Sequence, residues 1–448
     1  MTLSELRKDP DYALFKPVVE KGRKAFILGG FLFAVFLWTM YMYGTQLSSG
    51  LGVTGLNRPI SWGFYIVNFV FFIGISHAGT LISAILRLSK AEWRRPITRM
   101  AEVITAIVLA IGGLHPIIDL GRPDRLLSIF YYGRLQSPLL WDVTAITCYF
   151  AASTVYLYLP MIPDIAIMRD MGVRPQWLYR FLSWGWTGTE RQKHCLDRAI
   201  TILMVMVIPI AVSVHTVISF IFSMTLQPGW HSTIFGPYFV VGAIYSGIAA
   251  ILIVMIVFRK VFHLEGYLKP IHFQYLGTLL LVMCALWFYF TFAEYLTGTY
   301  GGEPHEMKII LYKFAGGYWP VFWSMILCNF VIPVIILSNK KLKTISGIFI
   351  ASFAVIIGMW LERLNIVVPS LANPLLRVPY QVYIPSLVEW ALFLAGVVAF
   401  VLAFLVFSKF FPVISVWEIK EGRKEGIEVV KERLASYQPD ITTQPGKS

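Results

Sequence analysis

Charged residues are scarce in this chain. Only 14% of its 448 residues are Asp, Glu, Lys or Arg, whereas 57% are hydrophobic. Soluble domains carry about 25% charged residues, so the composition excludes an ordinary soluble fold. The apolar residues form continuous runs of about twenty or more, unlike the short alternating segments of a membrane β-barrel. The sequence therefore predicts an all-α integral membrane protein.

Cysteine is rare as well. Cys148, Cys195, Cys284 and Cys328 are widely separated, and no C-x-x-C pair occurs. The sequence offers no thiolate framework for a zinc site or an iron–sulfur cluster, and we expect no metal site. A G-x-x-x-x-G-K-[ST] loop is also missing, which argues against an ATP-driven pump.

Ten apolar segments are long enough to be transmembrane helices. They lie near residues 24–44, 61–86, 100–121, 139–161, 198–223, 236–258, 272–296, 319–338, 344–362 and 384–408. We expect three parts: a cytoplasmic N-terminal segment at 1–23, a ten-helix membrane domain at 24–410 and a cytoplasmic tail at 411–448. The tail has apolar residues at helical spacing among charges, which predicts a short surface helix.

The net charge of +13 follows topology. Of the 38 Lys and Arg residues, 30 fall with the two termini and the even-numbered loops. The other side carries only Arg58, Arg122, Arg125, Arg134, Lys308, Lys313, Arg363 and Arg377. This asymmetry predicts that both termini are cytoplasmic, in a multi-pass protein of the inner (cytoplasmic) membrane. We expect contact with membrane lipids and no nucleic-acid partner.

A weak internal repeat suggests duplication. GFYIVNFVFF opens the second span and PYFVVGAIYS opens the sixth, and both segments start from the outer side. A duplication would relate helices 2–5 to helices 6–9 about an axis along the membrane normal.

Ionisable side chains within spans are costly, so each is a candidate functional residue. In the stretch GGLHPIIDLGRPDR, His115 and Asp119 lie one turn apart near the outer end of the third span. Asp142 lies at the same level in the fourth span. Asp119 has an equally good alternative role as a helix cap or as a partner of Arg122. For Asp142 alone, interaction with the positive end of the helix dipole is the better interpretation.

Further ionisable residues are spread over other spans. Glu294 and the Glu362–Arg363 pair fall in the outer third, where inter-helix ion pairs are the simpler interpretation. At the rise of an α-helix, His77 lies ~22–25 Å below the outer end of its span and His215 roughly 12 Å below its own. The two depths then differ by about 10 Å.

A carboxylate and an imidazole at one level suit quinol oxidation, in which each electron pair leaves with two protons. His can accept one proton and a carboxylate the other, and apolar walls suit an isoprenoid tail. One alternative is a b-type haem anchor, which requires paired His ligands at matching depth. A secondary transporter is another, although its polar groups should lie near the midplane.

Several motifs resemble the NrfD/PsrC-like family of quinone-interacting membrane subunits. They are GFYIVNFVFFIGISHAGTLISAILRL, DLGRPDR, RLQSPLLWDVTAITCYF and MWLERLNIVVPSL, and they occur in the family's order. The family includes the membrane subunits of polysulfide reductase and of alternative complex III, where the subunit is called ActC. The resemblance implies two four-helix bundles, helices 2–5 and 6–9, with two peripheral helices.

The resemblance also implies a function within a larger respiratory complex. Such a subunit binds menaquinone or ubiquinone, holds no haem or cluster, and is not catalytic alone. It exchanges electrons with a ferredoxin-like iron–sulfur subunit, on the periplasmic face in the alternative-complex branch. We also expect a second NrfD-like or other membrane subunit, and a multihaem cytochrome or molybdopterin-type subunit.

The family's site residues map onto this sequence with one departure. The Asp of the family's WDV motif corresponds to Asp142, and Asp119 stands where the alternative-complex subunits have His. His115 lies one turn earlier on the same helical side. We therefore expect His115, Asp119 and Asp142 to be the catalytic groups. His77, Arg122 and Trp141 are expected to help bind quinone, and a proton path is expected to use His77, His215, Glu294, Glu362 and Arg363.

Overall fold

The computed structural model describes residues 11–20, 22–375 and 382–423. In these ranges all regular secondary structure is helical, and ten helices are long and apolar enough to cross a membrane. They are α1 (Arg23–Ser49), α2 (Phe64–Leu88), α3 (Thr98–Asp119), α4 (Pro138–Asp170), α5 (Glu190–Ser223), α6 (Phe235–Val261), α7 (Pro270–Gly301), α8 (Trp319–Ser338), α9 (Ile345–Leu371) and α10 (Leu387–Phe410). The predicted all-α membrane fold with ten spans is confirmed.

Several helices are longer than predicted. For example, α5 begins at Glu190, where the Thr189 hydroxyl accepts a hydrogen bond from the Gln192 amide. Hydropathy detects only the part of a helix that lies in apolar surroundings. The backbone hydrogen-bond ladder continues into polar residues wherever a cap or a packing partner supports it.

Successive helices alternate in direction, so the membrane domain has two ends. The loop 3–4 end carries the connection between α3 and α4, and the terminal end carries both the first and the last described residues. At the loop 3–4 end the Gln46 amide of α1 donates to the Ile118 carbonyl of α3 over 3.0 Å. At the terminal end the Lys409 ammonium of α10 donates to the Pro17 carbonyl over 3.1 Å.

Helix contacts form two closed rings. Helix α2 contacts α3, α3 contacts α4, α4 contacts α5, and α5 returns to α2. The same order links α6, α7, α8 and α9. We call α2–α5 the first bundle and α6–α9 the second bundle. They meet mainly where α2 packs on α6, while α1 and α10 pair beside the first bundle.

Small residues allow the central helices to approach closely. A Cβ atom on Gly79 of α2 would overlap the Ala101 carbonyl and the Thr105 hydroxyl of α3. The Thr105 hydroxyl also accepts from the Thr80 amide and donates to the Ser76 carbonyl. Gly247 of α6 lies equally close to Ala78 of α2. Such contacts replace the hydrophobic driving force that is missing between helices in lipid.

The segment after α10 corrects one expectation. Val413, Ile414 and Val416 are buried, and a helix begins at 416 and continues to 423, the last described residue. The beginning of the tail therefore packs into the protein and is not a surface helix. The rest of the predicted tail helix lies outside the described residues.

Candidate functional site

His115 is buried near the loop 3–4 end of α3. Its Nδ1 lies 3.0 Å from the Ile111 carbonyl oxygen, and its ring packs against Phe72 with 5.2 Å between centroids. A carbonyl only accepts, so this hydrogen bond requires the Nδ1–H tautomer. Nε2 then carries a free lone pair, and it has no partner among the described residues.

Asp142 occupies the first turns of α4 and is 5% exposed. Its Oδ1 has no hydrogen-bond partner in the described part of the chain. Ser137 is the N-cap residue of this helix, and no side chain provides a capping hydrogen bond there. The cap interpretation of Asp142 is therefore not supported by a hydrogen bond.

Asp119 ends α3 and lies near the same level. One of its carboxylate oxygens is buried and without a partner in the described ranges. It does not pair with Arg122, whose guanidinium instead contacts Asp124 at 3.3 Å.

Helix packing brings these three residues to one depth. A Cβ atom on Gly113 of α3 would lie 4.0 Å from Ile146 of α4, so these positions face each other. The helices are antiparallel, and Asp142 is therefore within ~3 Å of both His115 and Asp119 along the helix axis. We call His115, Asp119 and Asp142 the polar corner.

A second hydrogen-bonded group lies beside the polar corner and was missed by the sequence analysis. The Tyr65 hydroxyl donates to Gln46 Oε1 over 2.6 Å, and Gln46 Nε2 donates to the Ile118 carbonyl next to Asp119. Tyr65 and Gln46 are both fully buried. Neither residue is charged, so the search for ionisable groups within spans could not find them.

Glu389 of α10 is buried at this end but fully hydrogen-bonded. It accepts from the Gly55 amide over 2.7 Å, from the Ser386 amide over 2.8 Å and from the Tyr383 hydroxyl. Burial and the Glu389 carboxylate raise the pKa of Tyr383. Glu389 caps its own helix and fastens the α1–α2 loop, which is a structural role.

Two residues assigned to the pocket lie outside it. The Arg122 side chain is 63% exposed. Trp141 is 38% exposed, and its indole nitrogen donates to the Leu135 carbonyl within the α3–α4 loop. The structure brings neither side chain into a contact with the polar corner.

His77 and His215 correct the predicted depths. Their ring centroids are 4.2 Å apart, and the four ring nitrogens have no partner among the described residues. The expected separation of about 10 Å assumed that span ends are level. Helix α5 has 34 residues and α2 has 25, so their ends do not coincide. Because the rings touch, no porphyrin fits between them in this arrangement.

Arg363 lies between the bundles at α9. Its guanidinium carbon is 4.8 Å from the Phe239 ring centroid, and a Cβ on Gly242 would be 2.8 Å from Nη2. Glu362, the preceding residue, lies 2.9 Å from Nη1 and accepts from the Trp287 indole over 2.6 Å. The ion pair is thus between neighbours in one helix and does not join two helices as expected.

The second bundle contains a small polar cavity at the loop 3–4 end. Its volume is about 60 Å³, and Glu294, Glu306, Lys313, Glu362 and Asn365 help line it. This is room for a few water molecules. Glu294 accepts from the Ser232 hydroxyl over 2.7 Å. Burial lowers the pKa of Lys313 to about 8 although Glu294 attracts its proton.

The terminal end holds a buried ionic network that the sequence analysis also missed. Asp164 pairs with Arg99 and accepts from the Val416 and Trp417 amides over 3.0 and 2.9 Å. Asp164 and Arg99 are at most 2% exposed. The carboxylate thus holds the start of the helix at 416–423 against α3 and α4.

Glu418 continues this network. It contacts Arg87 at 3.0 Å and Arg94 at 3.2 Å. Burial alone would raise the pKa of Glu418, but the attraction of Arg87, Arg94, Arg99 and Arg95 holds it below its usual value. The sequence analysis treated these arginines as topology signals only. Glu102, buried beside them and accepting from the Ser83 hydroxyl over 2.6 Å, lay inside a predicted span and was the available signal.

Metal coordination was not expected, and among the described residues no three His, Cys, Asp or Glu side chains are grouped to hold an ion.

Comparison with known proteins identifies the family. The family model described as polysulphide reductase, NrfD, matches residues 52–374. The C-type subunit of the selenate reductase of Mesobacillus selenatarsenatis is 26% identical, over 82% of this chain and 89% of its own length. The Hdr-like menaquinol oxidoreductase integral membrane subunit of Archaeoglobus fulgidus is 24% identical over 92% and 99%. The menaquinone reductase integral membrane subunit of Nitratidesulfovibrio vulgaris is 23% identical over 84% and 88%. The matched region includes the first bundle, the second bundle and the polar corner, and the chain belongs to the NrfD polysulphide reductase family.

Proposed function

We propose that this chain is the quinol-binding membrane subunit of a respiratory oxidoreductase complex and is not an enzyme by itself. The observation that carries the proposal is the polar corner, where three buried groups at one depth each present an atom without a partner. Relatives named for menaquinol and menaquinone support this assignment. We propose menaquinol as the substrate, with ubiquinol as the alternative.

The corner offers both proton acceptors that quinol oxidation requires. Oxidation of one quinol releases two electrons and two protons. His115 Nε2 takes one proton from a quinol hydroxyl, and the carboxylate of Asp142 or Asp119 takes the other. Hydrogen bonds from the quinol would satisfy polar atoms that are otherwise costly to bury.

The electrons then leave to a partner. We propose a ferredoxin-like iron–sulfur subunit that docks on the α3–α4 loop, as part of an assembly like alternative complex III. Large apolar side chains are exposed there: Leu127, Phe130, Tyr131, Tyr132 and Leu135. Exposed apolar and aromatic patches are typical of protein interfaces. The exposed side of α1 suits a second membrane subunit, and a multihaem or molybdopterin-type subunit would complete the chain.

The charge distribution supports a topology in which the loop 3–4 end is periplasmic and both termini are cytoplasmic in the inner membrane. In a cysteine-free background, an impermeant maleimide should label Arg134→Cys in intact cells but Lys340→Cys only after lysis. The opposite labelling pattern would contradict this orientation.

We also propose a proton route through the histidine pair. His77 touches His215, and Arg363 and Glu362 connect this level to the cavity with Glu294. In proteoliposomes with the whole complex, His215→Leu should abolish proton translocation while quinol oxidation continues. Unchanged translocation would remove the route.

Turnover of the assembled complex tests the quinol site. Asp142→Asn and His115→Leu should each lower quinol oxidation by roughly a hundredfold or more, because each removes a proton acceptor. The matched control is Asp124→Asn, an exposed carboxylate in the adjacent loop. Activity equal to the control in both variants would overturn the proposal. A reducible haem α-band in the purified chain would instead favour the b-type anchor.

A further inference from the structure

A large groove lies at the terminal end, far along α1 and α10 from the polar corner. It has a volume of about 640 Å³ and is formed by α1, α6, α10 and the short helix Tyr12–Val19. Its walls are apolar and include Val257, Phe258 and Phe404. Protein interiors rarely keep voids of this size, so the groove has room for a ligand.

The groove opens toward the surface that lipid would cover. Val257 is 40% exposed, Val261 61% and Leu28 48%. These residues belong to α6 and α1, whose sequences are apolar enough to span a membrane. The opening therefore faces acyl chains, and a ligand can enter from the bilayer.

The mouth of the groove carries excess positive charge. Lys16, Lys24, His263 and Lys409 line it together with one acid, Glu20. Lys409 is already used, because its ammonium donates to the Pro17 and Glu20 carbonyls. Lys16 and Lys24 are exposed, and no ion-pair partner for either occurs among the described residues.

The start of α1 adds a second attraction for an anion. Gly22, which lines the groove, precedes Arg23 and Lys24, and the first turn contains no acidic residue and no side-chain cap. Two cations therefore stand at the positive end of a 27-residue helix dipole, an arrangement that is unfavourable until an anion is present.

The distribution of polar groups distinguishes between candidate ligands. A quinone would need hydrogen-bond donors within the wall, but Ser408, the hydroxyl residue there, donates to its own Leu405 carbonyl over 2.8 Å. A ligand with an anionic head and long apolar tails matches both the cationic mouth and the apolar wall. Basic pockets at helix ends on the cytoplasmic side bind phospholipid headgroups in this way.

We propose that the groove binds one anionic phospholipid, with its phosphate between Lys16, Lys24 and the first turn of α1. Its acyl chains lie along Val257, Phe258 and Phe404. The lipid joins α1, which otherwise packs mainly on α10, to α6 of the second bundle. This role is separate from quinol oxidation.

Native mass spectrometry of the full chain tests the proposal. The chain, purified in detergent, is mixed with phosphatidylglycerol, phosphatidylcholine or menaquinone, and the bound molecules are counted. Wild type should retain one phosphatidylglycerol. Lys16→Ala/Lys24→Ala should weaken this binding by about tenfold or more, from the loss of two headgroup cations. The control is Lys340→Ala/Lys341→Ala, exposed lysines of the α8–α9 loop at the same end.

A second variant keeps the charges but fills the wall. Val257→Trp should abolish retention while the thermal unfolding midpoint in detergent stays that of a folded protein. Equal retention of phosphatidylcholine, displacement of the lipid by menaquinone, or no difference between the two lysine double variants would each overturn the proposal.

Discussion

At the residue scale, burial separates the charged groups that do structural work from those that await a ligand. Glu389, Asp164 and Glu418 are all buried, and each is surrounded by donors or cations. His115 and Asp142 are equally buried but present atoms without partners. Unsatisfied buried groups are costly, so the second kind is retained for a function and the first for stability.

Glu418 provides a prediction of stability against pH. Its pKa is held below the usual value in the folded protein, so its stabilising effect is complete above its unfolded pKa. The effect is lost as pH falls through the lower folded value. Glu418→Gln should destabilise the protein by about 3 kcal/mol near neutrality, because it leaves buried arginines without their partner.

Thermal unfolding in detergent across the acidic range checks this prediction. The difference between wild type and Glu418→Gln should be constant above pH 4.5 and shrink below it. Glu92→Gln is the control, since Glu92 pairs with Arg95 but is 67% exposed, and surface pairs contribute about 0–1 kcal/mol. A difference that persists at low pH would mean that the carboxylate charge is not the cause.

At the element scale, close packing of α2 against α3 sets the position of the polar corner. Gly79, Thr80 and Thr105 fix these helices relative to each other. Gly112, further along α3, similarly faces Ile73 of α2 with less space than a Cβ needs. His115 follows one turn later, so its position depends on this contact.

Gly79→Ala tests this dependence. The added Cβ would overlap the Ala101 backbone carbonyl, which cannot move without shifting α3. We expect a loss of about 1–3 kcal/mol in the free energy of unfolding, measured as a lower unfolding midpoint, together with reduced quinol oxidation. Gly29→Ala on α1 is the control, because its Cβ would meet nothing within 4 Å and should leave both quantities unchanged.

At the scale of the whole molecule, the sequence predicted what depends on composition and period. The ten spans, the all-α fold and the family followed from long apolar runs and extended motifs. Hydropathy could not fix the relative levels of helix ends, which is why His77 and His215 were placed apart although they touch. The pairing of Asp164 with Arg99 joins residues 65 positions apart and required the three-dimensional structure.

The site was predicted in part for the same reason. His115, Asp119 and Asp142 stood out because charge is rare in apolar spans. Gln46 and Tyr65 are neutral and were invisible to that criterion, although they lie beside Asp119 through the Ile118 carbonyl. Arg122 and Trp141 were drawn in by their position near the motif, and their side chains turn to the exposed surface of the α3–α4 loop.

The central claim is that quinol binds at the polar corner, and photo-crosslinking of an azido-menaquinone to the assembled complex tests it most directly. Peptide mapping should place the adducts of this chain between residues 111 and 146, and excess menaquinol should suppress them. Asp124→Asn should leave the adducts in place, whereas Asp142→Asn should reduce them. Adducts at the second-bundle cavity or the terminal groove, with none between residues 111 and 146, would contradict the account.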